Sequence, residues 1–359
     1  MSKSDFFEKP YDEGTLTKLK IFELYAQAWI PVFLSRPDPP FDEVHIFDFF
    51  SGAGADSKKA HGSPLRLLTQ VKQYQARNLA GWNKVKFNVN LSDANDANIN
   101  RLKALIAQPE WRIEGVKINT ETISFADALK KYQGVLTNKR SAKLLIIDQF
   151  GVDEVSDEVF RKLVSYPTTD FIFFISSQTL HRFRSIMKIK IDEVDSSYNV
   201  HRATFNHFKG IAPSDVFLSK FSIRKKRGNI YGLIFGSHHP LGIHKFLQVA
   251  WDNDEMRGEA NFDIDGENLQ AEQGMLGFDN MDLRPQKIAI FERDLKDEFK
   301  NKRISSEADI IQFCINAGMT CQHATSVIEK VKSEGLIKCD FRTPNIGNIK
   351  TPRKISYCS

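Results

Sequence analysis

At 359 residues and 41.0 kDa the chain is too long for one ordinary core, and roughly 150 residues per domain divides it into two or three. Hydrophobic residues make up 41% and charged residues 26%, which is globular composition and excludes a disordered or fibrous chain. No apolar run reaches the ~18 residues a bilayer span needs, and the first residues show no cationic head before an apolar stretch, so the expectation is a soluble, cytoplasmic protein without a membrane. The small net charge of +5 is unevenly spread. Residues 181–228 hold 11 basic against 4 acidic side chains, 229–283 hold 2 against 10, and 284–359 hold 14 against 9. Two basic blocks around an acidic one suit a surface that attracts a polyanion in parts, although solvated faces balancing one another give the same counts. The four cysteines all lie beyond residue 313 with no Cys-x-x-Cys pair, so they read as free thiols and no zinc site is expected.

In chain order, Ile21, Leu24, Tyr25, Ala28 and Trp29 form the stripe of an amphipathic helix over 16–34, with Pro31 read as its end. After the Pro37 to Pro40 connector, Val44 to Phe50 is an apolar run of strand length without alternation, as in a strand buried on both faces of a parallel sheet. It leads into Ser51-Gly52-Ala53-Gly54. Gly62-Ser63-Pro64 opens a helix, with Ser63 as its expected cap. Strands are expected at Lys84 to Leu91, Ile113 to Ile118, Lys143 to Asp148 and Asp170 to Ser176, with helices at Asp93 to Gln108 and Ser156 to Tyr166. Strands alternating with helices at this pitch predict a doubly wound, mostly parallel sheet. Val216 to Ile223 and Asn229 to Ser237 flank Arg224-Lys225-Lys226-Arg227-Gly228 and read as a terminal antiparallel hairpin; by analogy alone, such a hairpin resembles the close of a Rossmann-like methyltransferase. Residues 252–283 are acidic and poor in aliphatics, as a linker would be. Beyond them come helices at Lys287 to Lys302, Ser306 to Ala317 and from Thr320 to Gly335, then strand-like Leu336 to Phe341 and a polar tip, the order of a winged helix-turn-helix. The expected domains are an N-terminal helical segment (1–40), a methyltransferase-like Rossmann domain (41–251), an acidic linker (252–283) and a winged helix (284–359).

The strongest chemical signal is Asp48-x-Phe50-x-Gly52-x-Gly54 at a strand end. Glycines let the backbone turn tightly against a nucleoside, and a carboxylate there accepts its hydrogen bonds. The turn lacks the lysine of a phosphate-binding loop and the third glycine of a dinucleotide fingerprint, so a nucleoside with little phosphate fits it better, S-adenosylmethionine among them. Asp48, Phe50, Ser51, Gly52 and Gly54 are the candidate cofactor contacts. Asn90, taken as the end of the second strand, and Asp93 are candidates for the ribose hydroxyls, with Asp93 equally able to cap the next helix. Asp148-Gln149-Phe150-Gly151 ends the fourth strand. As in methyltransferases acting on exocyclic amines, Asp148 is the candidate group to orient the amine and Phe150 the ring to stack on the base, with a capping or ligand-edge role for Asp148 equally open. His181-Arg182-Phe183-Arg184 and His238-His239 also follow strands, where substrates bind in such folds. Asn261-x-Asp263-x-Asp265-Gly266 with Glu272 imitates a calcium loop, but Asn268 stands where an apolar residue belongs, and no metal is expected. Candidate nucleic-acid contacts are Arg224, Lys225, Lys226 and Arg227 in the hairpin turn. In the last domain they are Gln322, Thr325, Ser326 and Lys330 on the outer helix face and Arg342, Lys350, Arg353 and Lys354 on the wing.

These residues resemble one family over nearly the whole chain, the three-Cys-motif partner proteins of bacteria and phages. The resemblance lies in the Tyr25 to Trp29 helix, Asp48 to Gly54, Gly62 to Leu65, Asp148 to Gly151, Trp251, Gly258 to Asn261 and Gly318-Met319-Thr320. The family's first motif reads Ala-Gly-Pro-Gly and its fourth Asp-Pro-Phe-Gly, so this chain departs at both prolines. The resemblance implies a methyltransferase-like domain binding S-adenosylmethionine, a winged helix on DNA, a radical-S-adenosylmethionine-like three-Cys protein as partner, and a role in phage defence or in DNA modification or repair. Three functions follow as expectations: a methyltransferase-like protein acting on or with nucleic acid, a non-catalytic DNA-binding adaptor for the three-Cys partner, and, more distantly, a nuclease in which Asp48, Asp93, Asp148 and the histidines assemble a metal site.

Overall fold

The computed structural model describes residues 9–149, 155–175, 197–224, 230–255, 257–261 and 286–358. The chain divides into two compact units, residues 1–242 and 243–359.

The first unit opens with helix α1 (Glu13–Leu34), capped by Asp12, whose carboxylate accepts from the Thr15 N–H. Pro31 does not end this helix. It sits in the last turn, where its missing N–H leaves the Gln27 carbonyl without its usual donor, and the Tyr74 hydroxyl takes that carbonyl at 2.7 Å. Phe22, Tyr25, Ala26, Trp29 and Ile30 are buried, as the apolar stripe requires.

Strand β1 (Glu43–Asp48) leads into the glycine turn. Then come α2 (Ser63–Ala76), β2 (Lys86–Asp93), α3 (Asp96–Ile106), β3 (Val116–Thr122), short helices α4 (Phe125–Lys131) and α5 (Gln133–Leu136), β4 (Ser141–Ile147), α6 (Asp157–Ser165) and β5 (Thr169–Ile175). Helix α7 (Ser197–Ile211) precedes β6 (Phe217–Arg224) and β7 (Ile230–Ser237). The sheet order is β3-β2-β1-β4-β5-β7-β6, with β7 antiparallel to both neighbours and every other pairing parallel. This is the doubly wound, Rossmann-like, methyltransferase-like sheet with its terminal antiparallel hairpin. All residues of β4 and β5 are buried, and Phe47, Leu145, Ile147, Phe160, Phe171, Phe173 and Phe208 form the core on one face. Burial on both faces explains why these strands read as continuous apolar runs.

Local boundaries differ from the sequence reading in ways that bear on the site. Strand β2 runs on to Asp93, because its register with β3 continues through Asp93 opposite Thr122, so Asn90 is inside the strand and not at its end. Ser63 does not cap α2. Gly62 holds the cap position, and the Ser63 hydroxyl is close enough to bond Asp48. Asn95, not Asp93, caps α3. His238 and His239 do not lie at a substrate-binding end. Strand β7 runs backwards, so Ser237 pairs with Asp170 at the amino end of β5, and His239 accepts the Leu241 N–H instead. By the same reversal, Arg224 and Ile230 bracket the basic turn on the carboxyl edge. Lys225, Lys226 and Arg227, the 181–184 run, Phe150 and most of the calcium-like loop lie outside the described residues.

The second unit holds most of helix α8 (Pro240–Asn253), then α9 (Gln286–Lys300), α10 (Glu307–Asn316), a 3₁₀ turn at Cys321–His323, α11 (Ala324–Ser333) and the two-stranded antiparallel ladder β8 (Ile337–Lys338) and β9 (Ser356–Tyr357). Ser306 and Asp309 form the capping box that their spacing predicts. The Trp251 indole donates to the Gly318 carbonyl at 3.0 Å and packs 4.2 Å from the His323 ring. The Lys287 ammonium joins the same place, donating to the carbonyls of Arg257 and Gly318 and to Glu259. Gly258 is required here: its φ is +61°, and a Cβ would lie 2.6 Å from the indole.

Replacing Tyr74 with Phe removes the hydroxyl that donates to the Gln27 carbonyl at the proline turn. Urea unfolding should then show a loss of about 1 kcal/mol, with an unchanged denaturant slope.

Candidate functional site

The strand order reverses between β1 and β4, and in open α/β sheets ligands bind outside the carboxyl ends of the strands at that reversal. Asp48 ends β1 and Asp148 follows β4, so the two acids stand at this point. Asp93, at the end of β2, is the third carboxylate on the same edge.

Asp48 is completely buried. Its Oδ1 accepts from the Phe50 N–H at 3.2 Å, while Oδ2 has no donor among the described residues. Burial, reinforced by the charges of Asp148 and Asp93, pushes its pKa up to about 7 against the hydrogen bonds from Ser63 and the Phe50 amide. A buried carboxyl with a vacant acceptor, poised near neutrality, is the most unusual ionisable group on this edge.

The turn after Asp48 is bound to the end of β2. The Ser51 amide and hydroxyl both donate to the Ser92 carbonyl, at 2.9 and 3.1 Å, and the Gly52 N–H donates to Asp93 Oδ2 at 3.1 Å. The Gly54 carbonyl accepts from the Gly62 amide at 2.8 Å, which closes the turn onto the start of α2. Gly52 and Gly54 have φ of +59° and +88°, the left-handed region that favours glycine. A Cβ at Gly54 would also stand 2.9 Å from Leu102 and 3.1 Å from Leu105, so the α3 side of the turn is filled by these leucines. Phe50 turns its ring to Phe125, with centroids 5.4 Å apart.

Asp93 has its oxygens engaged. Oδ1 accepts from the Asn95 amide and the Asn98 side chain, and Oδ2 from Gly52, which leaves Oδ2 one further lone pair. Asn90 bonds along the sheet, its Oδ1 accepting from Asn119 at 2.8 Å and its amide 3.4 Å from the His45 ring. The structure therefore brings Asp48, Ser51, Gly52, Gly54 and Asp93 together and sets Asn90 apart, within a polar ladder across β1, β2 and β3.

At Asp148 the sequence reading missed the main partner. The Lys18 ammonium of α1 donates to Asp148 Oδ1 at 2.6 Å and lies 4.3 Å from the centroid of Phe174 on β5, and both side chains of the ion pair are almost entirely buried. Gln149 links the two strand ends by donating from Nε2 to the Phe174 carbonyl at 3.0 Å. Its Oε1 is buried without a donor among the described residues. Phe174 in turn stacks on Tyr231 of β7, 5.4 Å away. The signal for Lys18 was present in the sequence: with Ile21, Phe22 and Tyr25 it occupies the helix stripe that faces the core, where a lysine needs a partner. Tyr11 lies near the same acids, and burial together with Asp56, Asp148 and Asp48 keeps its hydroxyl protonated. Among the described residues no three His, Cys, Asp or Glu side chains converge to hold a metal ion, and the trio Asp48, Asp93 and Asp148 is not such a group.

In the second unit, several candidate nucleic-acid contacts are engaged within the chain. Arg353 is bound to the buried Glu307, which also accepts from the Asn345 amide and the Asn348 side chain. Burial alone would raise Glu307, but these bonds outweigh it and hold the carboxyl down at about 2. Arg342 pairs with Glu329 at 2.5 Å, Thr325 bonds Thr343, and Ser326 donates to Glu292. Gln322, Lys330, Lys350 and Lys354 are exposed, and Arg224 in the first unit is half-buried.

No family model matches the chain, and no curated protein matches it in sequence. Among solved structures, it is similar to an rRNA methylase from Streptococcus thermophilus (8% identity over 61% of this chain and 93% of that one, TM-score 0.32) and to a SAM-dependent methyltransferase from Agrobacterium tumefaciens (10% identity over 62% and 61%, TM-score 0.34). The fold assignment rests on the strand order of the sheet itself.

Asp48→Asn tests the buried acid. The folded-state pKa lies above the unfolded value of 3.8, so the folded protein binds the extra proton and wild-type stability from this group falls as pH rises from about 4 to about 7. In thermal unfolding across pH 4 to 9, the variant should gain on wild type through that window and hold a constant advantage above it.

Proposed function

We propose that the chain binds S-adenosylmethionine at the carboxyl end of β1 and is a methyltransferase-like protein acting on or with nucleic acid. The observation that carries this reading is Asp48 Oδ2, a buried acceptor with no donor among the described residues, beside glycines in left-handed conformation at the reversal of the sheet. The residues fit the ligand: Asp48 offers an acceptor for its ammonium group, and Asp93 Oδ2 keeps a lone pair for a ribose hydroxyl. Bound there, the cofactor supplies a methyl group on a positively charged sulfur. The protein's part is to hold that cation beside its acids and to orient the acceptor at the end of β4. Asp148 serves there by accepting an N–H, and Phe150, next but one along the chain, remains the proposed stacking ring.

The order of helices α9, α10 and α11 before a small antiparallel ladder supports a winged helix-turn-helix, with Gln322, Lys330, Lys350 and Lys354 as its exposed nucleic-acid contacts and Arg224 to Arg227 as a second basic site. The convergence of Trp251, Gly258, Glu259 and Gly318 around Lys287 supports the family resemblance, because residues that carry it form one packed unit.

A second reading, the DNA-binding adaptor for a radical-S-adenosylmethionine-like partner, is favoured by one observation: Asp148 is already bound by the chain's own Lys18. Calorimetry separates the two. Heat with S-adenosylmethionine and S-adenosylhomocysteine that is lost in Asp48→Ala supports the first; no heat with either, together with co-purification of the three-Cys protein, supports the adaptor.

Nucleic-acid binding should weaken steeply with salt as phosphate contacts release counterions. Lys330→Ala or Lys350→Ala should lower the log–log salt slope by about 1 each. Arg353→Ala should instead lower the melting temperature, because it strips Glu307 of its ion pair.

A further inference from the structure

We infer that Asp148 and Phe174 form a binding site for a protonated alkylamine, and that Lys18 is its resident occupant. The inference deepens the methyltransferase-like reading and rests on it for one point only, that the end of β4 faces the acceptor; the binding chemistry stands by itself.

The Lys18 ammonium lies 2.6 Å from a carboxylate oxygen and 4.3 Å from the centroid of an aromatic ring, out of water. A carboxylate and a π face together select a cation: the first through a charge-assisted hydrogen bond, the second through the ring quadrupole, and both strengthen as water is excluded. The exocyclic amine of a nucleobase is neutral and planar, so it would use the carboxylate but gain nothing from a ring face that favours positive charge.

The site is also held in shape by groups other than Lys18. Phe174 is stacked on Tyr231, and its carbonyl is bonded to Gln149, so the ring is positioned from β7 and β4. An alkylammonium has three N–H donors, of which Asp148 takes one. Gln149 Oε1, buried at the end of β4 without a donor among the described residues, is a further acceptor on this edge.

Lys18 is not required here to hold α1. That helix is tied to the sheet by the Tyr25 hydroxyl on Asp170 at 2.6 Å and to α2 by Tyr74 on Gln27. The lysine thus stands as an internal ammonium in the place an alkylammonium would take; such a ligand has no free lone pair and passes a proton to Asp148 before its nitrogen can accept a methyl group.

The test uses the full chain carrying Lys18→Ala, which deletes a propylammonium from the site. Added n-propylammonium chloride should raise the melting temperature of this variant in a saturable manner, more than propan-1-ol at equal concentration or sodium chloride at equal ionic strength. The rise should disappear in Lys18→Ala/Asp148→Asn. If Lys18→Ala does not fold unaided, refolding in propylammonium against refolding in propanol reads the same preference. Equal effects of propanol and propylammonium, or an undiminished rise in the double variant, would each overturn the inference. No cofactor is needed, so a failed rescue with intact S-adenosylmethionine calorimetry removes the amine site alone, and the converse removes only the cofactor reading.

Discussion

Three carboxylates stand at one edge of a sheet, shielded from water, and two of them, Asp148 and Asp93, raise the proton affinity of the third, Asp48. Each is stabilised differently. Asp93 is solvated by the protein, receiving the Gly52 and Asn95 amides and the Asn98 side chain. Asp148 is neutralised by the Lys18 ammonium. Asp48 has one backbone donor and a hydroxyl, and burial lifts its pKa to about 7. The glycine turn follows from this arrangement, because the amide that solvates Asp93 belongs to Gly52 and must be presented by a backbone in left-handed conformation.

Helix α1 is the element that makes the arrangement possible. It runs along the sheet, placing Lys18 at the carboxyl ends of β4 and β5 and Tyr25 on Asp170 at the amino end of β5. Asp170 is buried too, and burial raises it to about 6, so the helix brings a hydroxyl to one buried acid and an ammonium to another. A buried ion pair is seldom a net gain over apolar packing, yet removing one partner costs roughly 3–5 kcal/mol through the charge left behind. The pairing therefore holds Lys18 in place without explaining why a lysine stands there. The alkylamine site supplies a reason.

Much of the fold was legible because its signals are local. The apolar runs of β1, β4 and β5, the Ser306–Asp309 capping box and the basic hairpin each state their element within a few residues. The glycine turn and the two strand-end acids were legible for the same reason. What the sequence hid depends on partners far along the chain. Pro31 reads as a helix stop unless Tyr74 is known to take the freed carbonyl. Asp93 reads as a cap although its own bonds run to Gly52, and Ser63 reads as a cap although it faces Asp48. The histidines after β7 read as site residues because direction in the sheet, which decides the edge they occupy, is not written in a strand's own composition. Lys18 was visible as an anomaly in an apolar stripe, but its partner lies 130 residues away.

The same distinction governs the second unit. Its charge count is basic, yet Arg353 and Arg342 are committed to Glu307 and Glu329 within the fold. Arg353 in particular completes a buried carboxylate that also receives Asn345 and Asn348, so it joins the start of α10 to the residues before β9 and cannot leave for a phosphate without exposing that acid to an uncompensated burial. A lysine on a flexible stem loses little when it turns to a polyanion, whereas a forked guanidinium bound by two bonds to a buried acid loses its best contact. Any polyanion that binds here is therefore met by lysines, as a diffuse and salt-sensitive charge.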